Sequence, residues 1–170
     1  MRPKDNLRED HGQIMKLFVS WQKMLGKLDH PDQALIEDFK KCIDWVEVFI
    51  DRCHHGKEDE ILFPAMASSA NREVKILIKG LHSEHQTGRS LLESIKLELK
   101  TFSRPNALPA GLIELCQGYI DLFRKHIRRE NAQLLPLLEK GIPAEAQEQI
   151  AAQFEQYEQR TIGPKKLEIS

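Results

Sequence analysis

Aromatic side chains make up only 6% of this 170-residue chain, and cysteine occurs three times, at Cys42, Cys53 and Cys116, without C-x-x-C spacing. An odd, unpatterned cysteine count argues against a disulfide framework and reads as reduced, mostly buried thiols. Cys53 adjoins His54, but a helical neighbour points about 100° away, so it is not expected to join it as a ligand. No apolar run approaches the ~20 residues that span a bilayer. The opening Met1-Arg-Pro-Lys-Asp-Asn has neither a signal-peptide core nor transit-peptide character, so a cytoplasmic home is the expectation. Charge of one sign is also missing. Lys and Arg number 25 against 26 Asp and Glu, for a net charge of -1. That balance argues against broad attraction to nucleic acid or an anionic membrane. The chain further lacks an alternating strand pattern, a glycine loop to cradle phosphate, a basic-aromatic stripe and a credible Ser/His/Asp set.

What the chain has is helical periodicity. Forty-one per cent hydrophobic and thirty per cent charged residues suit a soluble helical protein. Leu7, His11, Ile14, Phe18, Trp21, Leu25 and Leu28 form a first stripe at alternating spacings of four and three. Asp29-His30-Pro31-Asp32 reads as a turn. A second stripe takes Phe39, Ile43, Val46, Ile50, His54, Glu58 and Ile61, with Pro64 expected to kink or end the helix. Ser68-Ser-Ala-Asn71 reads as a loop whose Asn71 caps the next helix. The third stripe is Val74, Ile78, Leu81, His85, Gly88, Leu92, Ile95, Leu99 and Phe102, and Arg104 to Pro109 breaks the pattern. The fourth is Leu112, Cys116, Tyr119, Phe123, His126, Glu130, Leu134 and Leu137. Gly141 and Pro143 mark its stop, and Ile150, Phe154 and Tyr157 stripe a short last helix, with a loose tail after Gly163. The expectation is all-α: an up-down-up-down four-helix bundle with a short extra C-terminal helix. It forms one domain over residues 1–170, with a core bundle at about 5–141 and a last helix at about 143–160.

Two stretches carry the chemistry. His54-His-Gly-Lys-Glu58-Asp-Glu-Ile-Leu-Phe-Pro64 is echoed by His126-Ile-Arg-Arg-Glu130-Asn-Ala-Gln-Leu-Leu-Pro136. Positions i and i+4 share one helix face, so each stretch turns an imidazole and a carboxylate the same way. His11 precedes His54 by 43 residues and His85 precedes His126 by 41, so the chain reads twice as lone His, then His-x3-Glu. Two helical hairpins related by a pseudo-two-fold bring all six groups to one level of the core. A lone histidine on an apolar face is an ordinary core residue. Four imidazoles and two buried carboxylates cost several kcal/mol without a partner, and a metal centre satisfies them together. Six mixed nitrogen and oxygen donors, two of them carboxylates able to bridge, exceed a structural zinc site and suit a pair of iron ions.

Asp10-His11, His54-x3-Glu58 running to Leu62-Phe63-Pro64, Glu84-His85-x2-Gly88-Arg89, and His126-x3-Glu130 running to Pro136 together resemble the hemerythrin family, the HHE cation-binding bundles. The resemblance implies that His11, His54, His85 and His126 are terminal ligands of two iron ions bridged by Glu58 and Glu130, with an oxo, hydroxo or water bridge. Manganese or zinc could load the same donors. Oxygen-carrying members have His-x3-His on the third helix, whereas this chain has His82-Ser-Glu-His85. His82 is thus a candidate fifth imidazole, a donor behind a ligand, or an edge residue. One protein nitrogen fewer leaves a position for a small molecule and favours redox or sensing chemistry over pure carriage.

Other residues could tune such a site. Tyr119 is either a hydrogen-bond donor, proton source or anionic ligand near the metals, or a core tyrosine. Gly88 either leaves room for a diatomic molecule or permits close helix packing. Glu47 is expected to be a solvated or paired surface residue, His55 to sit at a helix contact or in solvent, and Lys57-Glu58-Asp59-Glu60 to be a wet face apart from Glu58. Arg89, Arg128 and Arg129 read as surface ion-pair partners. The expected function is a non-haem di-iron protein that binds or reacts with O2, NO or peroxide in sensing, stress protection or iron handling. The alternatives are a redox enzyme acting on peroxide or NO, and an iron donor or sensor working through a protein partner. The sequence does not fix the oligomeric state.

Overall fold

The computed structural model describes residues 1–28, 31–68, 71–101 and 111–163. The Asp29-His30 turn, Ser69 and Ala70, Phe102, the break from Arg104 to Pro109 and the tail after Gly163 lie outside the described residues. The described residues form five helices and no strand. Helix α1 spans Pro3–Leu25, opened by a proline at its first turn and an early Asp5 that complements the helix dipole. Helix α2 runs through residues 33–67, capped by the Asp32 side chain, which accepts from the Leu35 amide at 2.7 Å. Helix α3 is Arg72–Thr101, and Asn71 caps it as expected by accepting from the Val74 amide at 3.0 Å. Helix α4 covers residues 112–141, and α5 is Ala144–Thr161. The last helix lies against α1 and the middle of α2, burying Ile150 and Phe154. No helix among the described residues is long and apolar enough to cross a membrane.

Two helices depart from α geometry. Residues Val46–His55 and Glu58–Leu62 of α2, and Glu130–Leu134 of α4, are wound as π-helix. A π turn takes one more residue than an α turn, so the inward face moves on by one position beyond it. That explains two departures from the stripes. Ile61 was expected inside but is only half-buried, and Leu62 is buried in its place. Leu137 was likewise expected inside but is 37% exposed, while Leu138 is fully buried. Pro64 stands three residues before the end of α2 at Ala67, near the stop expected of it. It falls in the first turn of the resumed α segment Phe63–Ala67, where a helix tolerates a missing amide, and Pro136 does the same in Leu135–Gly141.

The apolar side chains gather in two clusters. One holds Ile14, Phe18, Trp21, Ile50, Leu92 and Phe123; the other holds Leu7, Leu62, Leu81, Leu134, Leu138 and Phe154. Along each of the first four helices the buried histidines and glutamates fall between residues of the two clusters. The polar groups therefore form a slab walled above and below by hydrocarbon. Cys42, Cys53 and Cys116 are buried free thiols, and burial pushes the pKa of each up to about 12.

The phase slip can be tested directly. Leu138→Ala should lower the unfolding free energy by about 2–5 kcal/mol and Leu137→Ala by less than about 1 kcal/mol. Urea denaturation of the two variants measures both, and equal losses would contradict the slip.

Candidate metal centre

The π segments begin or end at the groups that matter: His54 sits in the first, Glu58 opens the second and Glu130 opens the third. His11 from α1 and His85 from α3 complete a set in which no side chain is more than 3% exposed. Glu130 lies between two histidines, its Oε2 3.1 Å from His11 Nε2 and its Oε1 3.1 Å from His126 Nε2. Glu58 lies between the other two, its Oε2 3.8 Å from His54 Nε2 and 3.4 Å from His85 Nε2. The donors fall into two groups, His11-His54-Glu58-Glu130 and Glu58-His85-His126-Glu130, each with its ligand atoms within 4.8 Å of one another. Both carboxylates belong to both groups. That overlap is what two cations sharing two bridges would need.

A ring of orienting contacts surrounds the six. Asp10 on α1 accepts from His54 Nδ1 on α2 at 3.0 Å. Asp59 on α2 accepts from His85 Nδ1 on α3 at 2.8 Å. Glu84 on α3 accepts from His126 Nδ1 on α4 at 2.7 Å, and Asn131 on α4 faces His11 Nδ1 on α1 at 3.1 Å through its amide oxygen. The circle closes, each helix holding the imidazole of the next. An ionised carboxylate only accepts, so the proton stands on Nδ1 and the lone pair of Nε2 faces inward.

The inner atoms fit bound cations better than they fit one another. His11 Nε2, His54 Nε2 and all four oxygens of Glu58 and Glu130 are buried without a hydrogen bond. The contacts at 3.1 to 3.8 Å are thus close in distance but not aligned as hydrogen bonds. His85 Nε2 and His126 Nε2 stand 3.1 Å apart. Two lone pairs at that distance repel unless a positive charge lies between them. Protons and metal ions compete for this role. Burial opposes charge on His126, yet Glu130 and Glu84 overcome it and raise its pKa to about 10. Burial likewise opposes charge on Glu130, but His126 and His11 hold its carboxyl well below the usual range.

The remaining expected residues are distributed as follows. His82 is 49% exposed, bonds Asp59 Oδ1 through Nδ1 at 2.9 Å, and belongs to neither four-donor group, although Asp59, His82 and His85 do form an outer cluster. Tyr119 packs among Phe18, Trp21 and Phe123. Burial pushes its hydroxyl pKa well up, against the anionic form. Cys53 is in no such group. The Gly88 space is filled by the Phe123 ring, so it serves close packing. Glu47 pairs with Lys96 at 2.8 Å and with Arg52.

Two readings of the sequence change, and an open one closes. Of the two places expected for His55 the helix contact is the one found: it is wholly buried, flat against His85 at 4.0 Å between centroids, where the π winding turns two consecutive histidines inward. Lys57 is no wet-face residue: it is fully buried and donates to Asp10, Asn6 and Glu158 at 2.6 Å each. Through it α5 supports the carboxylate that orients His54. Arg89 and Arg129 are half-buried, clamping Asp59 at 2.9 Å and Glu84 at 2.7 Å. A signal for the ring was present in the sequence, since each lone histidine follows an acidic residue and each of the two buried glutamates precedes Asp or Asn. It goes unread because each partner serves a histidine on another helix.

A family model described as Hemerythrin HHE cation binding domain matches residues 2–138. No curated protein and no solved structure matches the chain.

With its pKa raised to about 10, His126 should give up a proton on taking a cation at neutral pH. Adding Fe(II) or Zn(II) to metal-free protein in weak buffer at pH 7 should release at least one proton per chain, and apparent affinity should climb with pH towards about 10. Uptake without proton release would contradict this. Glu84→Ala or Asp59→Ala should weaken metal affinity by roughly 10–100-fold. Helical circular dichroism should stay intact, with affinity read by chelator competition.

Proposed function

The chain belongs to the hemerythrin HHE cation-binding family, and on that footing we propose that it carries two iron ions and uses them to bind or react with O2, NO or peroxide. On this reading His11 and His54 would hold one ion, His85 and His126 the other, and Glu58 and Glu130 would be shared between them. The observation that carries this reading is the pair of four-donor groups sharing both carboxylates. Imidazole and carboxylate accommodate both Fe(II) and Fe(III), while a structural zinc site would need one set of four and no sharing. When bound, the two ions supply redox equivalents and open positions for a small oxidant. Four protein donors to each ion leave such positions. An exposed His82 outside both groups adds none, which favours reaction or sensing over simple carriage.

The chain's own residues do the rest. The Nδ1 ring fixes each imidazole in one tautomer and one direction, so that no reorientation is needed when charge enters the slab. The two apolar clusters exclude bulk water and strengthen every contact inside. Lys57, Arg89 and Arg129 keep the orienting carboxylates ionised from outside.

Metal content of the native protein, with its absorption spectrum before and after O2, is the test. Two irons per chain and a spectral change on exposure of the reduced form are expected. A reversible change marks binding, and turnover with a reductant marks an enzyme. His54→Ala or Glu130→Ala should cut occupancy sharply. Two irons retained in either variant would overturn the ligand set.

A further inference from the structure

His55 is used by nothing described above, yet it is among the most enclosed polar side chains of the protein. It is 1% exposed, and its Nδ1 has no hydrogen-bond partner. The nearest carboxylate, Asp51, stops 3.9 Å short and is bonded instead to Arg89 at 2.6 Å. An unpartnered buried imidazole costs stability and needs a compensating contact. A ring nitrogen of His55 lies within 4.8 Å of nitrogens of both His85 and His126, so an edge of the ring lies beside the centre.

The ring's pose narrows what that contact is. His55 lies flat on His85, with 4.0 Å between centroids and 20° between planes, and flat on Phe123 at 4.7 Å and 30°. Phe123 can stand there only because Gly88 has no side chain; a Cβ would overlap its ring. Rings lying flat on one another run their in-plane nitrogens side by side rather than toward one point. The nitrogens of His55, His85 and His126 are close enough to hold an ion together, but the stacked pose sets His55 poorly for sharing one with His85. Its nitrogen lies beside the donors of His85 and His126.

We infer that His55 is the hydrogen-bond donor to the small anion or oxidant taken up at the His85–His126 side of the centre, held at its station by the clamp of His85, Phe123 and Gly88. This rests on the two-iron reading above. It makes His55 a residue that selects ligands able to accept a hydrogen bond.

Azide, an anion that binds metals and accepts a hydrogen bond, is the probe, titrated into the oxidised protein and followed by absorption. His55→Phe keeps the stacked ring and removes the donor. It should retain two irons per chain and raise the azide dissociation constant about tenfold. His55→Gln restores an N–H and should recover much of that loss. Unchanged azide affinity in His55→Phe would overturn the inference. So would loss of one iron in that variant, since His55 would then be a ligand. In the wild-type protein the antisymmetric stretch of bound azide should shift between H2O and D2O, and its absence would overturn the inference without any variant. A wild-type protein holding fewer than two irons would instead overturn the reading beneath it.

Discussion

Two carboxylates and four imidazoles are shut between two slabs of hydrocarbon, and the rest of the structure answers to that. Glu58 and Glu130 are wholly enclosed with no hydrogen bond to any of their four oxygens. Isolated buried carboxylates cost several kcal/mol each, which no local packing gain offsets. The four inward nitrogens cannot satisfy them either, since the outer ring has already claimed the Nδ1 protons. Positive charge has to enter from outside the chain, as protons or as metal ions. Cation binding, the property of the family to which the chain belongs, is thus also the condition under which this core is electrostatically complete.

The helices were legible because their determinants are local. Apolar residues at alternating threes and fours, Asp32 and Asn71 at helix starts, and Gly141 with Pro143 at a stop act within a few residues of themselves. Four of the inner groups were legible for a related reason, since His-x3-Glu lies on one face whatever surrounds it, and His11 and His85 stood out as lone histidines in apolar stripes. What escaped was anything that depends on phase or on a second helix. The π segments moved burial from Ile61 to Leu62 and from Leu137 to Leu138, and they turned His55 inward. No residue type announces a π turn, because it is held by the tertiary need to present consecutive donors. Lys57 looked solvated because its neighbours are charged. Its partners Asp10, Asn6 and Glu158 come from α1 and α5, and no spacing within α2 points to them.

Helix α5 illustrates how far support for a site can lie from it. Residues 144–161 fall beyond the family match, which ends at 138. Even so, Glu158 holds Lys57, Lys57 holds Asp10, and Asp10 holds His54. Tyr157 packs on Gly56, where a Cβ would meet its ring at 2.8 Å, and bonds Glu60 at 2.6 Å. The helix seals the π-wound part of α2, the segment with the least regular backbone bonding and the greatest need of external bracing.

The charges of the outer ring set the electrostatic surroundings of the inner slab. Asp10 pairs with Lys57, Asp59 with Arg89 and Glu84 with Arg129, but Lys57 is shared with Glu158 and Arg89 with Asp51. The fourth orienting group, Asn131, is neutral and calls for no cation. The ring and its partners therefore carry no surplus of positive charge to offset Glu58 and Glu130. On the reading proposed above, two divalent ions would bring four positive charges into this water-poor interior, where little screening intervenes. Had Asn131 been an aspartate without a cation of its own, one more negative charge would stand against them. The amide at this one position would leave such a centre more electron-poor and better able to take an added ligand.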